Sequence, residues 1–452
     1  MQHQVGAQYP SSSPRSVTRS NLISSPGLPR RFSELQVGSQ PDFPSLVGSI
    51  ETRAIPSAIH INDLPIELVG EIVVKHSELE WYAPAVDGRV CSYWRTAVLG
   101  TARAWARIKF EQLWASRVRE FPSESAWALW IERAASAPLD VRLLVHRGKS
   151  LHEHALEYML SVLLQKADSV ASLEISGVRR AFFLTPFPLL RHLRIDGWSL
   201  SDSEYPHDGQ FSVTSMQALR SLTLGDIPCE PFATGAVPPL SELSLSHNNT
   251  WPSLVRHSHE SLTSLSLHCC GPWAGEGHPL DFPNLTFLSL YDIPAFKPYI
   301  TTPRLQTLHE ASDSLSDSFP RPLCSLTEYG VLPMRAPSDC PRFHVDRLYN
   351  EFPNLVRLSL RATAGDTRLF FKELAECPAC FPHLRCIEAE NYSGLRNSFS
   401  DEEIMVMECF LLARNQAALS VPLKAWFWEP KKKREIPLLF ADVCDYQLCF
   451  LE

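Results

Sequence analysis

The sequence predicts an α/β fold: a small helical module followed by an irregular solenoid built on a curved parallel sheet. Three observations predict it. A pattern Leu-x-x-Leu-x-Leu recurs through the second half of the chain and well before it. Upstream, apolar residues recur every four positions between Leu64 and Val98. Finally, 36 prolines against 19 glycines punctuate the whole chain, which favours many short elements separated by loops.

Composition sets the class. At 452 residues the chain exceeds a single hydrophobic core, so several units or a repeat array are expected. An apolar fraction of 44% belongs to a folded protein. A net charge of −8 argues against general nucleic-acid binding, which needs a basic face. No apolar run reaches the length of a membrane span. The N-terminus lacks the apolar stretch of a secretory signal, which points to a reducing compartment, cytoplasmic and/or nuclear. The 12 cysteines are then expected to be buried thiols and not a disulfide framework. Arg15, Arg19, Arg30 and Arg31 precede the first acidic residue, Glu34, as in a transit peptide. Pro10, Pro14, Pro26 and Pro29 would break the amphipathic helix such a peptide needs.

Residues 1–56 are rich in Ser, Pro, Gln and Arg without periodicity, and are expected to form a disordered leader. The span 57–110 changes character. Leu64, Leu68 and Ile72 recur at intervals of four, widened by Val69 and Val73, and Pro65 stands where a first helical turn tolerates it. Val90, Trp94 and Val98 suggest a second helix, and Trp105 and Ile108 close a small helical core. In 111–150, Trp127–Arg133 reads as a connecting helix stopped by Ala137-Pro138-Leu139, and Asp140–Val145 as the first strand. A further helix over Leu151–Lys166 carries Leu156, Leu160, Leu163 and Leu164 on one side.

Residues 151–452 are dominated by repetition. Leu190-Leu193-Ile195, Leu219-Leu222-Leu224, Leu240-Leu243-Leu245, Leu262-Leu265-Leu267, Leu285-Leu288-Leu290 and Leu355-Leu358-Leu360 fit the pattern fully. Val170-Leu173-Ile175, Leu305-Leu308, Leu323-Leu326 and Leu384-Ile387 are weaker copies. First positions lie 18 to 32 residues apart, mostly 20 to 23. That is the period of leucine-rich repeats, in which each unit supplies one short strand. One unit cannot bury its leucines alone; a stack shares one continuous core. Most units lack the asparagine that usually follows the third leucine. Trp426-Phe427-Trp428 is expected to form a terminal strand that caps the array, with a helix starting at Ser400-Asp401-Glu402-Glu403.

These residues also carry a family resemblance. Leu64-Pro65-x-Glu67-Leu68, Val90-Cys91-x-x-Trp94-Arg95 and Ala104-Trp105-x-x-Ile108 resemble an F-box. The likeness extends to the F-box-like proteins of mushroom-forming fungi, where a Trp-Leu-x-Arg-Ser-x-x-x-Pro-Leu segment leads into irregular leucine-rich repeats. Trp130-Ile131-Glu132-Arg133-Ala134-Ala135-Ser136-Ala137-Pro138-Leu139 matches that segment. The chain departs from the family between Val74 and Val90, where a charged, glycine-containing linker replaces an apolar helical stretch and is expected to weaken that helix. The resemblance implies a non-enzymatic substrate receptor of an SCF-type cullin-RING ubiquitin ligase. Its F-box would dock a Skp-family adaptor, and through it cullin and RING subunits. Leu64, Pro65, Glu67, Leu68, Ile72 and Trp94 would form or support the adaptor face. The alternative is an interaction scaffold with a degenerate F-box.

In each repeat strand the leucines point inward, and alternation sends the residue between them to the open face. That row is read as Arg194, Thr223, Ser244, Ser266, Ser289, His309, Thr327, Ser359 and Glu388. Asp196, Ser246, His268, Tyr291, Arg361 and Glu390 join it one step beyond. Of these, Arg194, Ser244, Ser266, His268, Ser289, Tyr291, Ser359 and Arg361 are the candidate contacts to an unknown protein substrate. A hydroxyl-rich surface of mixed charge suits hydrogen bonding to a protein and not a phosphate-dense ligand.

Chemical motifs are few. Cys377-x-x-Cys380-x-x-His383-x-x-Cys386 offers zinc-type ligands. Pro378 and Pro382 stiffen the run and Leu384 and Ile387 belong to the repeat, so chance clustering is the reading. His268-Cys269-Cys270 and His152-x-His154 have less support, and no metal or cofactor is assigned. Pro430-Lys431-Lys432-Lys433-Arg434 resembles a nuclear import signal, or equally a basic loop tip. There is no Gly-x-Ser-x-Gly, phosphate-binding loop or dinucleotide fingerprint, so no catalytic residue is expected.

Overall fold

Among the described residues of the computed structural model, thirteen parallel strands stand side by side in a single sheet, and their spatial order is their order in the sequence. The residues described are 61–112, 123–145, 158–176, 185–196, 216–225, 238–248, 251–273, 279–293, 296–311, 319–332, 345–362, 364–377, 379–391, 401–416 and 423–428. The Ser/Pro-rich leader and the basic run 430–434 lie outside them. Among the described residues no helix is long and apolar enough to cross a membrane.

The helical unit comes first. Helices α1 (Ile66–Leu79), α2 (Ala83–Asp87), α3 (Ser92–Gly100) and α4 (Ala102–Trp105) pack on one another. Helix α1 turns Val69, Gly70, Val73, Val74 and Ser77 inward. Gly70 is required there, because a Cβ at that position would lie 2.7 Å from Thr101 Oγ1. The expectation of a weakened linker after Val74 is overturned: α1 runs on to Leu79 and α2 follows within four residues. The polar residues that suggested a loop make the contacts that order it. His76 Nδ1 meets the buried Asp87 carboxylate at 3.0 Å, and Arg95 Nε donates to the Gly88 carbonyl at 3.0 Å.

Trp105 ties this unit to the rest. Its indole donates to the Val98 carbonyl at 2.9 Å and its ring meets Trp130 edge-on at 4.8 Å. The Arg133 guanidinium lies 4.5 Å over the same ring. Trp130 and Arg133 belong to α5 (Glu124–Ala134), whose first turn Ser123 caps through its hydroxyl. Replacing Trp105 by Ala should therefore cost about 3–5 kcal/mol, the range for a fully buried aromatic. Denaturant melts of both chains check this, and a loss under about 1 kcal/mol would show that the junction is not a shared core.

The sheet opens with a strand that periodicity had not revealed. Ile108 was expected in the helical core, but β1 (Arg107–Gln112) pairs in parallel with β2 (Leu139–Val145). Ile108 and Phe110 point inward and Lys109 outward, a period-two signal too short to read alone. Then follow β3 (Val170–Ser176), β4 (His192–Asp196), β5 (Ser221–Gly225), β6 (Glu242–Ser246) and β7 (Ser264–His268). Next are β9 (Phe287–Tyr291), β11 (Thr307–Ala311), β12 (Glu328–Leu332), β13 (Arg357–Ala362), β14 (Cys386–Asn391) and β15 (Lys424–Trp428). Two short strands, β8 (Leu280–Asp281) and β10 (Ile300–Thr301), pair separately.

Inward leucines of adjacent strands stand in register, Leu243 beside Leu265 and Leu265 beside Leu288. Helices 158–164, Trp251–Ser258, Val345–Glu351, Ala364–Glu376 and Asp401–Gln416 contribute to the same continuous core through Leu163, Leu254, Leu348, Phe371 and Phe410. The expected terminal strand and its preceding helix are both present. In place of an asparagine after the third leucine, side chains at the start of several units bridge back to the one before. Asn284 and Asn354 donate to the carbonyls of Glu260 and Cys324 at 2.8 and 2.7 Å. Ser261 and Ser325 do the same to Leu240 and Leu305. These bonds satisfy carbonyls that the short strands leave unpaired.

The cysteines differ from expectation. Among the eight described, only Cys270 and Cys380 are buried; Cys324 and Cys409 are exposed and the others half-buried.

Candidate functional site

Two surfaces stand out. On α1, Leu68, Ile72 and Leu79 are 51%, 40% and 84% exposed, although all three are large and apolar. Their spacings of four and seven place them on one side of the helix, turned by about 80–160° from the buried Val69, Val73 and Ser77. An amphipathic helix covering a core has one apolar face; α1 has two. The sequence stripe Leu64-Leu68-Ile72 is therefore not the core stripe. Leu64 is half-buried and its carbonyl accepts from Tyr93 Oη at 2.6 Å. Pro65 and Glu67 are exposed at the start of α1, where the Pro65 carbonyl accepts from the Leu68 and Val69 amides. Trp94 differs: only 7% exposed, it lies in the core and can support the outer face only from within. Val86 in α2, to which the sequence gave no role, is also exposed, and so is Val90, which was expected to open the second helix but lies before α3 with its side chain in water. Leu79 was legible in principle, since it lies eleven residues, about three turns, beyond Leu68.

The second surface is the outward face of the sheet. Register places Arg194, Thr223, Ser244, Ser266, Ser289, His309, Gly330, Ser359 and Glu388 side by side on successive strands. Asp196, Gly225, Ser246, His268 and Tyr291 form the adjacent row, and Arg361 pairs with Glu390 further along. All eight candidate substrate contacts thus lie on one face.

Thr327 does not join them. Gly330 takes its place, because the inward residues of β12 are Tyr329 and Val331, not leucines. Thr327 instead precedes the strand, where its amide donates to the Gln306 carbonyl.

The face is divided by chemistry. At one end Arg142, Glu174, Arg194 and Asp196 form a chain of ion pairs with separations of 2.9, 3.2 and 3.2 Å. Arg194 is therefore engaged within the chain itself, against acidic side chains more buried than its own. The middle is short hydroxyls. Beyond it lie rings: His268 stacks on Tyr291 at 4.2 Å, and Phe287 meets His309 edge-on at 5.3 Å. His309 occupies the space that a side chain at position 330 would need, since a Cβ there would lie 2.7 Å from its Cδ2. Burial lowers its pKa below the ordinary imidazole range, with Glu328 opposing and Arg361 reinforcing the shift.

A histidine with a lowered folded pKa binds fewer protons folded than unfolded. Its contribution to stability is then complete above the ordinary range and lost as pH falls through the lowered value. Melting temperatures of the natural chain and His309→Gln, taken between pH 8 and pH 5, should diverge toward acid. The natural chain should fall further, and parallel profiles would refute the shift.

Among the described residues two groups of metal-type ligands also emerge. The run Cys377–Cys386 does not close on itself; Cys377 and Cys380 gather with Asp346, while Cys386 lies on β14 and His383 is exposed. Burial and the hydrogen bond with Cys377 push the Cys380 thiol up to about 12. The second group is His247, His268 and Cys269, at the edge of the sheet's outward face. His268 and Cys269 are adjacent in sequence; His247 joins them only through the pairing of β6 with β7.

No protein-family model matches the chain, and no curated protein matches it either.

Proposed function

We propose that this chain is the substrate-recognition subunit of an SCF-type cullin-RING ubiquitin ligase. Its helical unit acts as an F-box-like domain that docks a Skp-family adaptor. Its repeats act as an irregular leucine-rich-repeat-like solenoid whose open face selects a protein substrate. The observation that carries the reading is the second apolar face of α1. Leu68, Ile72 and Leu79 leave a run of apolar area in water on a helix already packed on its other side. Such a surface is characteristic of a site that another polypeptide covers. The motif residues Leu64, Pro65 and Glu67 frame it.

The role is one of proximity and requires no bond chemistry from the chain itself. Holding a substrate lysine near a charged conjugating enzyme raises its effective concentration. Trp105, Trp130 and Arg133 join the docking unit to the sheet, so the two surfaces would be held by a packed junction and not by a flexible linker. The open face offers hydroxyls and rings suited to a protein partner.

The test is co-expression of the full chain with a Skp-family adaptor, followed by size-exclusion chromatography. A stoichiometric complex supports the reading. If the folded chain elutes without the adaptor, the ligase role fails and an interaction scaffold with a degenerate F-box remains.

A further inference from the structure

The ends of adjacent strands bring three metal-binding side chains together. His247 is the first residue past β6 and Cys269 the first past β7, and both have left-handed backbones, with φ of 51° and 49°. Asp292 continues the series past β9 with φ of 54°. That conformation costs a residue with a side chain about 1–2 kcal/mol. Asp and His are among the residues that tolerate it best, and Cys is not. The turns are locked to one another. The His247 amide donates to the His268 carbonyl at 2.9 Å, and the Cys269 amide to that of Tyr291 at 2.7 Å. Equivalent residues of successive units therefore stand at the inter-strand spacing of about 4.8 Å.

His268, the last residue of β7, faces outward between them. Its ring lies flat against Tyr291, at 4.2 Å and 14°, and meets His247 at 5.6 Å and 72°. Stacking restricts the His268 ring before any ligand arrives. The chain direction then sorts the two cysteines. Cys270 is buried, with its Sγ 3.5 Å from the Leu245 carbonyl, whereas Cys269 is half-buried at the surface.

As a result, one nitrogen of each imidazole and the Cys269 Sγ all lie within 4.8 Å of one another. A tetrahedral zinc site, with Zn–N near 2.0–2.1 Å and Zn–S near 2.3 Å, needs ligand separations of about 3.3–3.7 Å. Side-chain rotations of about an ångström close that gap with the backbone in place.

We propose that His247, His268 and Cys269 bind one Zn2+ ion at the edge of the open face, with the fourth coordination position taken by water. Two imidazoles and a thiolate select a borderline-soft cation over Mg2+ or Ca2+, which prefer oxygen ligands. The inference goes beyond the ligase reading and does not depend on it: metal binding and adaptor capture are separate measurements.

The test uses the full chain carrying Cys377→Ser, which silences the other thiol-containing cluster, kept reduced and stripped with a chelator. Titration with Co2+ should give a four-coordinate visible spectrum and a thiolate-to-cobalt absorption band that saturate together at one equivalent, and Zn2+ should displace the Co2+. Adding Cys269→Ser should remove the band. Adding His247→Ala should weaken cobalt binding by more than about 100-fold, beyond the usual effect of changing a group behind a ligand. Circular dichroism establishes that each variant is folded. Failure of the folded parent to develop the band, or survival of the band in the folded Cys269→Ser variant, overturns the site.

Discussion

Leu68→Asp is expected to abolish adaptor capture and leave the melting temperature of the chain nearly unchanged. The two halves of that result follow from one observation. Leu68 is half exposed on α1, so the isolated fold loses little when it is replaced, within the roughly 0.5 kcal/mol typical of surface changes. In a docked complex the same position would lie under the partner, and a carboxylate forced into an apolar interface costs several kcal/mol unless it is paired. Each 1.4 kcal/mol is about tenfold in affinity, so capture should weaken by more than about 100-fold. Ile72→Asp should behave alike. Leu369→Asp is the control: its side chain is as exposed as Leu68 but lies in the helix Ala364–Glu376, outside the helical unit, and capture should persist. Equal capture by all three variants, measured by pull-down with purified adaptor, would remove α1 from the docking surface.

Lys297→Met should destabilise the fold by about 3–5 kcal/mol, the cost of leaving a buried charge without its partner. Lys297 and Glu310 are 2% and 1% exposed, and the ammonium lies 2.8 Å from Glu310 Oε1. Glu310 occupies an inward position that Leu290 fills in the neighbouring strand and Val331 in the next. It also accepts from Tyr329 Oη at 3.4 Å. Burial raises the pKa of Glu310, and Lys297 offsets only part of that. The contribution of a carboxyl with a raised folded pKa is complete below its ordinary range and lost as pH rises through the raised value. The Lys297→Met penalty should therefore be smaller at pH 4 than at pH 7, because a protonated Glu310 needs no counter-ion. Combining Lys297→Met with Glu310→Leu and Tyr329→Phe removes these three polar groups together and should return stability to within about 1–2 kcal/mol of the natural chain. Urea melts of the single and triple variants decide it. A single variant as stable as the natural chain would mean that the pair is not buried in solution.

The repeat array was legible because its signal is local. Alternation along five residues fixes which side of a strand each residue takes, and recurrence at 18 to 32 residues, mostly 20 to 23, marks the units. Where leucine gives way to another inward residue, the same logic fails. Glu310, Tyr329 and Val331 hold core positions, so counting leucines placed Thr327 on the open face where Gly330 stands. The sequence offered His268-Cys269-Cys270 but not their third neighbour, for a related reason: His247 is twenty-one residues from His268, and only strand pairing brings it beside them.

By itself the sequence determined that α1 would form around one apolar stripe, Leu64-Leu68-Ile72 widened by Val69 and Val73. It could not decide which part of that stripe the chain would cover, since leucine, isoleucine and valine are all apolar. Tertiary packing decided it. Gly70 lets Thr101 approach on the valine side, where a Cβ would stand 2.7 Å from its hydroxyl, and Leu68 and Ile72 are thereby left in water. Helix formation depends on neighbours in sequence, whereas burial depends on residues thirty positions away.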